Sequence, residues 1–481
     1  MTALLRHSAI YLLARGLPGA INFLAIAVYT RLLAPDEYGR YALVVAGVGL
    51  VNIVCFQWLN LSVLRFLPAY PTPTTLLASV KGMYYLLASV ITLVVLVAAF
   101  TGVPTAWKGL TLLALVLLWA QTWFDLNLEI TRTRLQPVRY GIGSGIRAST
   151  MIITSTLFLL RYPVAHAPLA GQVIGALAGG LLLASRQWFG VHARINKPII
   201  QQLVHYGMPL TGTFALSFVI SSSDRFLLAY YLNEQEAGLY AAAYDVTAQI
   251  LLVVMLVVNM AAYPLAVSSL EQQGVQAAQA QLSRNIWLLV AVAVPPAMIL
   301  VLFAPQISLV LGSQFHRSAS SIIPWIAVAI FLAGIRSYHF DLAFQLGKYT
   351  LGQLWVTGIA AATNIVLNVM WIPRWGITGA AWATLAAYAV ALIASTVLGR
   401  KVFPVPVNWK GIMQVAAATL AMLVVCFVMP RPDNLVGSLL QVSTAIFAYF
   451  CCTLALLYMV RYRERIFMSN SIFARRNRRD K

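Results

Sequence analysis

The stretch Ser221–Tyr244, SSSDRFLLAYYLNEQEAGLYAAAY, decides the fold. It begins inside an apolar run that opens at Gly207, and it carries Asp224 and Arg225 well short of that run's end. A charge inside a membrane-length segment costs roughly 2.5–3.5 kcal/mol on insertion scales, so such residues face a polar interior and mark function. The polar turn Asn233–Glu236 follows, and Gly238 and Tyr240 open the next apolar run. The same order occurs near the N-terminus, where Arg31 ends one run and Asp36-Glu37-Tyr38-Gly39-Arg40-Tyr41-Ala42 opens the next. Glu37, Gly39, Tyr41 and Ala42 align with Glu236, Gly238, Tyr240 and Ala241, so the pattern E-x-G-x-Y-A is present twice. The repeat predicts an internal duplication, two halves of a transporter built on one plan.

Composition sets the class. Of 481 residues 60% are hydrophobic and 10% charged, against about 25% charged in soluble domains. No soluble core is that large, so the expectation is an all-α polytopic membrane protein. A membrane β-barrel would show alternating segments of about ten residues, and runs such as Leu86–Phe100 and Leu251–Met260 do not alternate. Cys55, Cys426, Cys451 and Cys452 lie in apolar runs without metal-ligand spacing and read as small packing residues. The N-terminal stretch has no signal-peptide cleavage pattern, and Arg15 interrupts it.

A window of about 20 residues gives fourteen spans. They cover 8–33, 39–66, 80–101, 108–130, 139–161, 167–186, 207–232, 237–264, 285–312, 319–346, 349–373, 375–399, 411–430 and 435–460. The organisation expected is an N-lobe at 1–198 (spans 1–6), a C-lobe at 199–402 (spans 7–12), spans 13–14 at 403–460, and a basic cytoplasmic tail at 461–481. Two longer connections, 187–206 and 266–284, read as surface segments, the second as an amphipathic helix lying on the membrane. With a cytoplasmic N-terminus, 21 Lys and Arg fall in inside segments and 5 outside, among them Lys108, Arg161 and Arg317. The positive-inside rule therefore puts both termini in the cytoplasm. The net charge of +20 has a membrane explanation, with the tail as an anchor on anionic lipid, and nucleic acid is not an expected partner.

Charges within the spans are the candidate site residues. Depth in the membrane matches Asp125 with Arg147 in spans 4 and 5, and Asp245 with Arg225 in spans 8 and 7, as ion pairs between neighbouring helices. Arg31, Arg40 and Arg65 lie near span ends, where they can snorkel to headgroups. Arg15 lies in span 1 one turn before Pro18-Gly19, a kink site, with Asn22 on its face. Arg336 lies deep in span 10; His339 shares its face, and Asp341 falls about 140° round an α-helix. His339 is either a pH-sensitive group or a packing histidine. Asp224, Asp245 and Asp341 are the candidates for H+ or Na+ coupling, and no other cofactor or metal is expected. Basic groups exceed acidic ones within the spans, which favours an anionic substrate, and the guanidinium fork suits phosphate. No enzyme motif is present. Gly141-Ile142-Gly143-Ser144-Gly145 lacks the preceding strand of a phosphate loop and reads as helix packing.

These residues resemble a family. Arg31-Leu-Leu-Ala-Pro-Asp-Glu-Tyr-Gly-Arg-Tyr is similar to the signature of polysaccharide-export flippases of the Wzx type, in the superfamily that also holds lipid II flippases and MATE exporters. Asp224-Arg225 followed by Glu236-Ala-Gly-Leu-Tyr resembles its second-half counterpart. Asn364-Ile-Val-Leu-Asn368 with Ile372-Pro373-Arg374-Trp375-Gly376-Ile377-Thr378-Gly379-Ala380-Ala381 resembles the family's span 11–12 junction. The resemblance implies two six-helix lobes in a V-shaped arrangement with two further C-terminal helices. It implies export of an undecaprenyl-diphosphate-linked oligosaccharide across the bacterial inner membrane by alternating access, for O-antigen or exopolysaccharide biosynthesis. The lipid-linked oligosaccharide and membrane lipids are then the partners, with a polysaccharide polymerase or assembly protein a further one. By position the family's cavity arginines fall on Arg15, Arg65 and Arg225, and Arg336 and Asn22 join them as candidate substrate contacts. Three rivals stand beside this reading: an ion-coupled drug or cation antiporter of the same fold, a membrane glycosyltransferase or polymerase, and a scaffold of an assembly complex. The antiporter would want a dominant cavity carboxylate. The enzyme would want a sizeable outer loop, and the outer loops here are short.

Overall fold

Proline sets several helix starts. Pro35, Pro73, Pro137 and Pro198 each sit in the first turn of a helix, where the missing N–H has no intrahelical partner to lose. The structure, a computed structural model, describes residues 2–184, 188–429, 437–438, 440–456 and 458, without the side chains of residues 2–15 and 17. The helices are α1 (Thr2–Leu32), α2 (Pro35–Phe66), α3 (Pro73–Thr101), α4 (Thr105–Thr133), α5 (Pro137–Arg161), α6 (His166–Ala184), α7 (Lys197–Tyr231), α8 (Glu234–Gln273), α9 (Val275–Leu302), the short α10 (Ala304–Ser308), α11 (Ser313–Ile335), the short α12 (Leu342–Leu346), α13 (Thr350–Val402) and α14 (Trp409–Val428). A further apolar helix spans Leu440–Leu456. Among the described residues there is no strand, and 11 helices are long and apolar enough to cross a membrane. The described residues of the fourteen predicted spans fall mainly on helix, with spans 11 and 12 together forming α13. The predicted tail, 461–481, lies outside the described residues.

α13 is two helices joined at Gly376, whose φ of 58° and ψ of −137° break the helix. Only glycine adopts that combination readily. The chain reverses there, so Asn364 and Thr384 face each other at 3.5 Å. α1 packs on α5, α5 on α6, and α2 and α6 on α4. α7, α8, α9, α11 and α13 form a second group, and α2 joins the two by running along α7 and α8.

The duplicated motif lies on that seam. A Cβ at Gly39 would fall on the Glu234 carbonyl, and a Cβ at Gly238 on the Pro35 carbonyl. The offset that pairs Gly39 with Gly238 also pairs Pro35 with Glu234, so the two contacts are one contact repeated about a pseudo-two-fold axis. Arg40 adds pairs to Glu37 at 2.8 Å and to Glu234 at 3.6 Å. The Asn233 side chain caps α8 by accepting the Glu236 N–H at 2.9 Å.

Two expectations are corrected. The segment 266–284 is not a separate helix on the membrane surface. α8 runs on to Gln273, only Gly274 (φ 86°) separates it from α9, and Ala266, Ala278 and Leu282 are fully buried against Leu342 and Phe403. Its glutamines and alanines suggested a surface helix, yet the alanines pack inward. Nor does Asp341 lie on another face from Arg336. Residues Arg336–Phe340 form a π-turn, in which the Asp341 N–H donates to the Arg336 carbonyl five residues back at 2.9 Å. The wider turn brings residues five apart to one side.

Candidate functional site

Asp224 is fully buried in α7 and is met by neutral groups. Asn368 donates to Oδ1 at 2.5 Å, and Tyr240 and Thr384 donate to Oδ2 at 2.5 and 2.6 Å. Asn364 sits behind them, accepting from Asn368 at 3.1 Å and from Ser223 at 3.0 Å. The Asn368 carbonyl oxygen is buried without a hydrogen-bond partner. The Gly376 reversal brings Asn364, Asn368 and Thr384 together, and the second copy of the repeat supplies Tyr240. The carboxylate accepts from one amide N–H and two hydroxyls, and the hydroxyl oxygens and the unpartnered Asn368 side-chain oxygen are ligands that a proton or a hard monovalent cation beside Asp224 could use. Under the repeat alignment Asp224 corresponds to Ala25, so the duplication carries this site in its second half only.

Arg225 points the other way and pairs with Asp245, lying also over the Tyr244 ring. The arginine is buried, while Asp245 is 30% exposed. Arg336 and Asp341 pair at 3.3 Å across the π-turn, and Ser395 donates to the other carboxylate oxygen at 2.6 Å. His339 is fully buried on the same turn.

A cavity of about 330 Å3 opens between the two groups of helices. α1 lines it with Pro18, Gly19 and Asn22, α5 with Tyr140, Ser144 and Arg147, and α8 with Gln249. Its described lining holds one guanidinium and no carboxylate. Arg147 lies 3.7 Å from Asp125, beyond hydrogen-bond range, and rests on the Phe124 ring at 4.6 Å; Asn52 donates to Asp125 at 3.0 Å. Both side chains are about a quarter exposed, and at 3.7 Å the pair is a charge contact without a hydrogen bond. The α6 glycines Gly175 and Gly179 fix Arg147 in place, because they let α6 lie directly on the backbone of α5 beside it. Gln249 reaches across the cavity wall and donates to the Gly19 carbonyl at 2.9 Å.

Of the predicted residues, the structure brings Asn22 and Arg147 to this cavity. Arg225, Arg336 and their acids lie in the second group of helices, and Arg65 is exposed in the last turn of α2. The side chain of Arg15 lies outside the described residues. Sequence reasoning did not single out Gln249, Tyr140, Thr384, Asn364 or Asn368 as site residues, although the last two stood in a quoted motif. Gly143 packs on the Leu183 side chain, as a helix-packing glycine does.

The model of the polysaccharide biosynthesis protein family matches residues 4–270, more than half of the chain. The chain belongs to the polysaccharide biosynthesis protein family. A curated relative, the uncharacterized membrane protein MJ1068 of Methanocaldococcus jannaschii, is 21% identical over 316 residues, spanning 63% of this chain and 62% of that protein. Among solved structures, the lipid II flippase MurJ in an inward closed conformation gives a TM-score of 0.77 at 15% identity, covering 95% of this chain and 100% of that one. An inward-facing multidrug resistance MATE transporter of the MOP superfamily gives 0.63 at 14% identity, covering 81% of this chain and 97% of that one. A MOP superfamily transporter from Pyrococcus furiosus, described as having a binding pocket of reverse polarity, gives 0.59 at 14%, covering 86% and 96%. At these identities the likeness is one of fold: this family member is a multi-pass, all-helical membrane protein with a fold like that of the MurJ and MATE structures, as the resemblance implied.

Proposed function

We propose that this polysaccharide biosynthesis family member is a flippase. It moves an undecaprenyl-diphosphate-linked oligosaccharide from the cytoplasmic to the periplasmic leaflet of the bacterial inner membrane by alternating access. The observation that carries the reading is the cavity between the two groups of helices, where Arg147 stands with Asn22, Ser144 and Gln249, no carboxylate is among the described lining residues, and Asp125 reaches Arg147 only at 3.7 Å from α4. Loosely held by Asp125, the guanidinium keeps donors free for phosphate oxygens. Arg147 thus takes the part that the resemblance suggested for Arg225, whose guanidinium is committed to Asp245. Arg15, one turn before the kink, remains the second candidate contact. Asp224 is the coupling residue in this reading, with Asn368, Thr384 and Tyr240 holding H+ or Na+ against it.

The drug or cation antiporter is the rival that Asp224 favours, since a cation needs an anion. Asp224 is wholly buried away from the cavity, so it suits a small ion and not an organic cation. Binding tests the choice. Purified protein should bind the lipid-linked oligosaccharide diphosphate, and Arg147→Ala should weaken that binding. Binding of organic cations to the cavity with none of the diphosphate would overturn the reading. Orientation has its own test: cysteines at the exposed positions Asn233 and Ser313 should react with an impermeant thiol reagent from the periplasm, and one at Ala280 should not. Labelling at Ala280 would reverse the orientation.

A further inference from the structure

We propose that a second groove, at the end of the bundle where Gly39 and Gly238 cross, holds one acyl chain of a membrane phospholipid, with the lipid's phosphate at Lys108. The groove has a volume of about 370 Å3 and begins one turn from the crossing, at Leu43. Leu43, Gly47 and Val51 form its floor, a stripe at i+4 spacing on α2, and α3, α4 and α7 wall it, the last with Phe226. Gly47 makes the room. A Cβ there would meet no atom within 4 Å, so no neighbouring helix requires a glycine, although glycine inside a helix costs stability against alanine. What its small size leaves is open space above the floor.

Length, volume and charge name the occupant. Along α4 the lining runs from Trp107 to Leu118, about 16 Å of helix. That is the hydrocarbon depth of one leaflet, half of a core about 30 Å thick. The lining hydroxyl, Thr111, already donates to the Trp107 carbonyl at 2.9 Å, so the groove offers its ligand apolar surface. Its volume has room for about a dozen groups of the size of water, which suits one acyl chain and not the far longer undecaprenyl chain. Lys108 sits in the first turn of α4, where the helix dipole disfavours a cation. It shares a face with the lining residues Thr111 and Leu115, at i+3 and i+7, and lies nearer the membrane surface than either. None of the ion pairs among the described residues includes it. A phosphate above the groove supplies that counter-charge. α4 belongs to the first group of helices and Phe226 to the second, so a chain between them fills the gap at the closed end and must move if the groups part there. In the orientation proposed above, this is the periplasmic leaflet.

Photo-crosslinking of the full-length protein in liposomes tests the site. The probe is a phosphatidylglycerol with a diazirine near the end of one acyl chain, and adducts are mapped to residues by mass spectrometry. Label should concentrate on the groove face of α4 and on Phe226, above the bulk level at the exposed Leu93 and Phe100 of α3. Gly47→Leu, which fills the space above the floor, should remove that excess and keep the bulk label. Lys108→Gln should lower the excess by up to about fivefold, and it serves if Gly47→Leu does not fold. Groove label no higher than that at Leu93 and Phe100 would overturn the proposal, as would an excess that either folded variant leaves unchanged. So would a diazirine-bearing undecaprenyl phosphate that labels the groove in preference to the phospholipid, because the long chain would then be the occupant. No transport is measured, so the result bears on this site alone and leaves the flippase reading to its own tests.

Discussion

Gly39 and Gly238 cross backbone to backbone, each so near the other's helix that a Cβ would strike a carbonyl oxygen. In a two-lobed transporter such a crossing is a seal that must part if the lobes rock. Cysteines at Arg40 and Glu234, which now pair across it, should be joined by a short bifunctional thiol reagent. Transport should stop, and a cleavable linker should restore it on reduction. Undiminished transport in the joined protein would make this crossing a fixed pivot.

Asp224 governs the second prediction. Each hydrogen bond to a charged group contributes about 1.5–3 kcal/mol. Thr384 and Asn368 both donate to the carboxylate and so favour its anion. Thr384→Ala or Asn368→Ala should therefore tighten H+ binding roughly 10- to 150-fold, whereas a Na+ site would lose an oxygen ligand and bind more weakly, and Asp224→Asn should abolish the dependence of transport on the H+ or Na+ gradient while lipid binding survives. Gradient dependence retained in Asp224→Asn would move coupling elsewhere, with Asp341 and Asp245 next.

Arg147 should behave as a phosphate contact. Arg147→Ala is expected to weaken binding of the lipid diphosphate roughly 10- to 150-fold for one lost charge-assisted bond. Lysine keeps the charge without the fork, so Arg147→Lys should recover only part. Titration of the purified variants by calorimetry reads both. Removing Asp125 instead should leave binding intact or tighter; a loss as large as that of Arg147→Ala would mean that the ion pair is structural.

Stability enters through α6. Gly175 lies on the Arg147 carbonyl and the Met151 side chain, so Gly175→Val must push α6 off α5. Overpacking of this kind costs about 1–3 kcal/mol, and thermal unfolding in detergent should show a lowered midpoint. An unchanged midpoint would mean that the α5–α6 contact yields freely.

Much of the fold was legible because its signals are local. Hydropathy marks spans, and the twice-written E-x-G-x-Y-A marked the seam, since only glycine permits that crossing. The pairings of Arg225 with Asp245 and of Arg147 with Asp125 follow from depth in the membrane alone. The Asp224 cage was less legible: Asn364, Asn368 and Thr384 are neutral, and they converge only because the chain reverses at Gly376. The Arg336–Asp341 contact could not be read at all, because any helical wheel assumes the α period that the π-turn breaks. Gln249 and Ser144 carry no charge to betray them, and they matter through a cavity that no single segment forms.

Transbilayer movement tests the central claim most directly. The purified protein is reconstituted into liposomes carrying an undecaprenyl-diphosphate-linked oligosaccharide in one leaflet, and a lectin that cannot cross the bilayer reports the glycan on the other side. The account predicts appearance well above that of protein-free liposomes, reduced at least about tenfold in Arg147→Ala and indifferent to the ion gradient in Asp224→Asn. Appearance no faster than in protein-free liposomes, under either an H+ or a Na+ gradient, would contradict it.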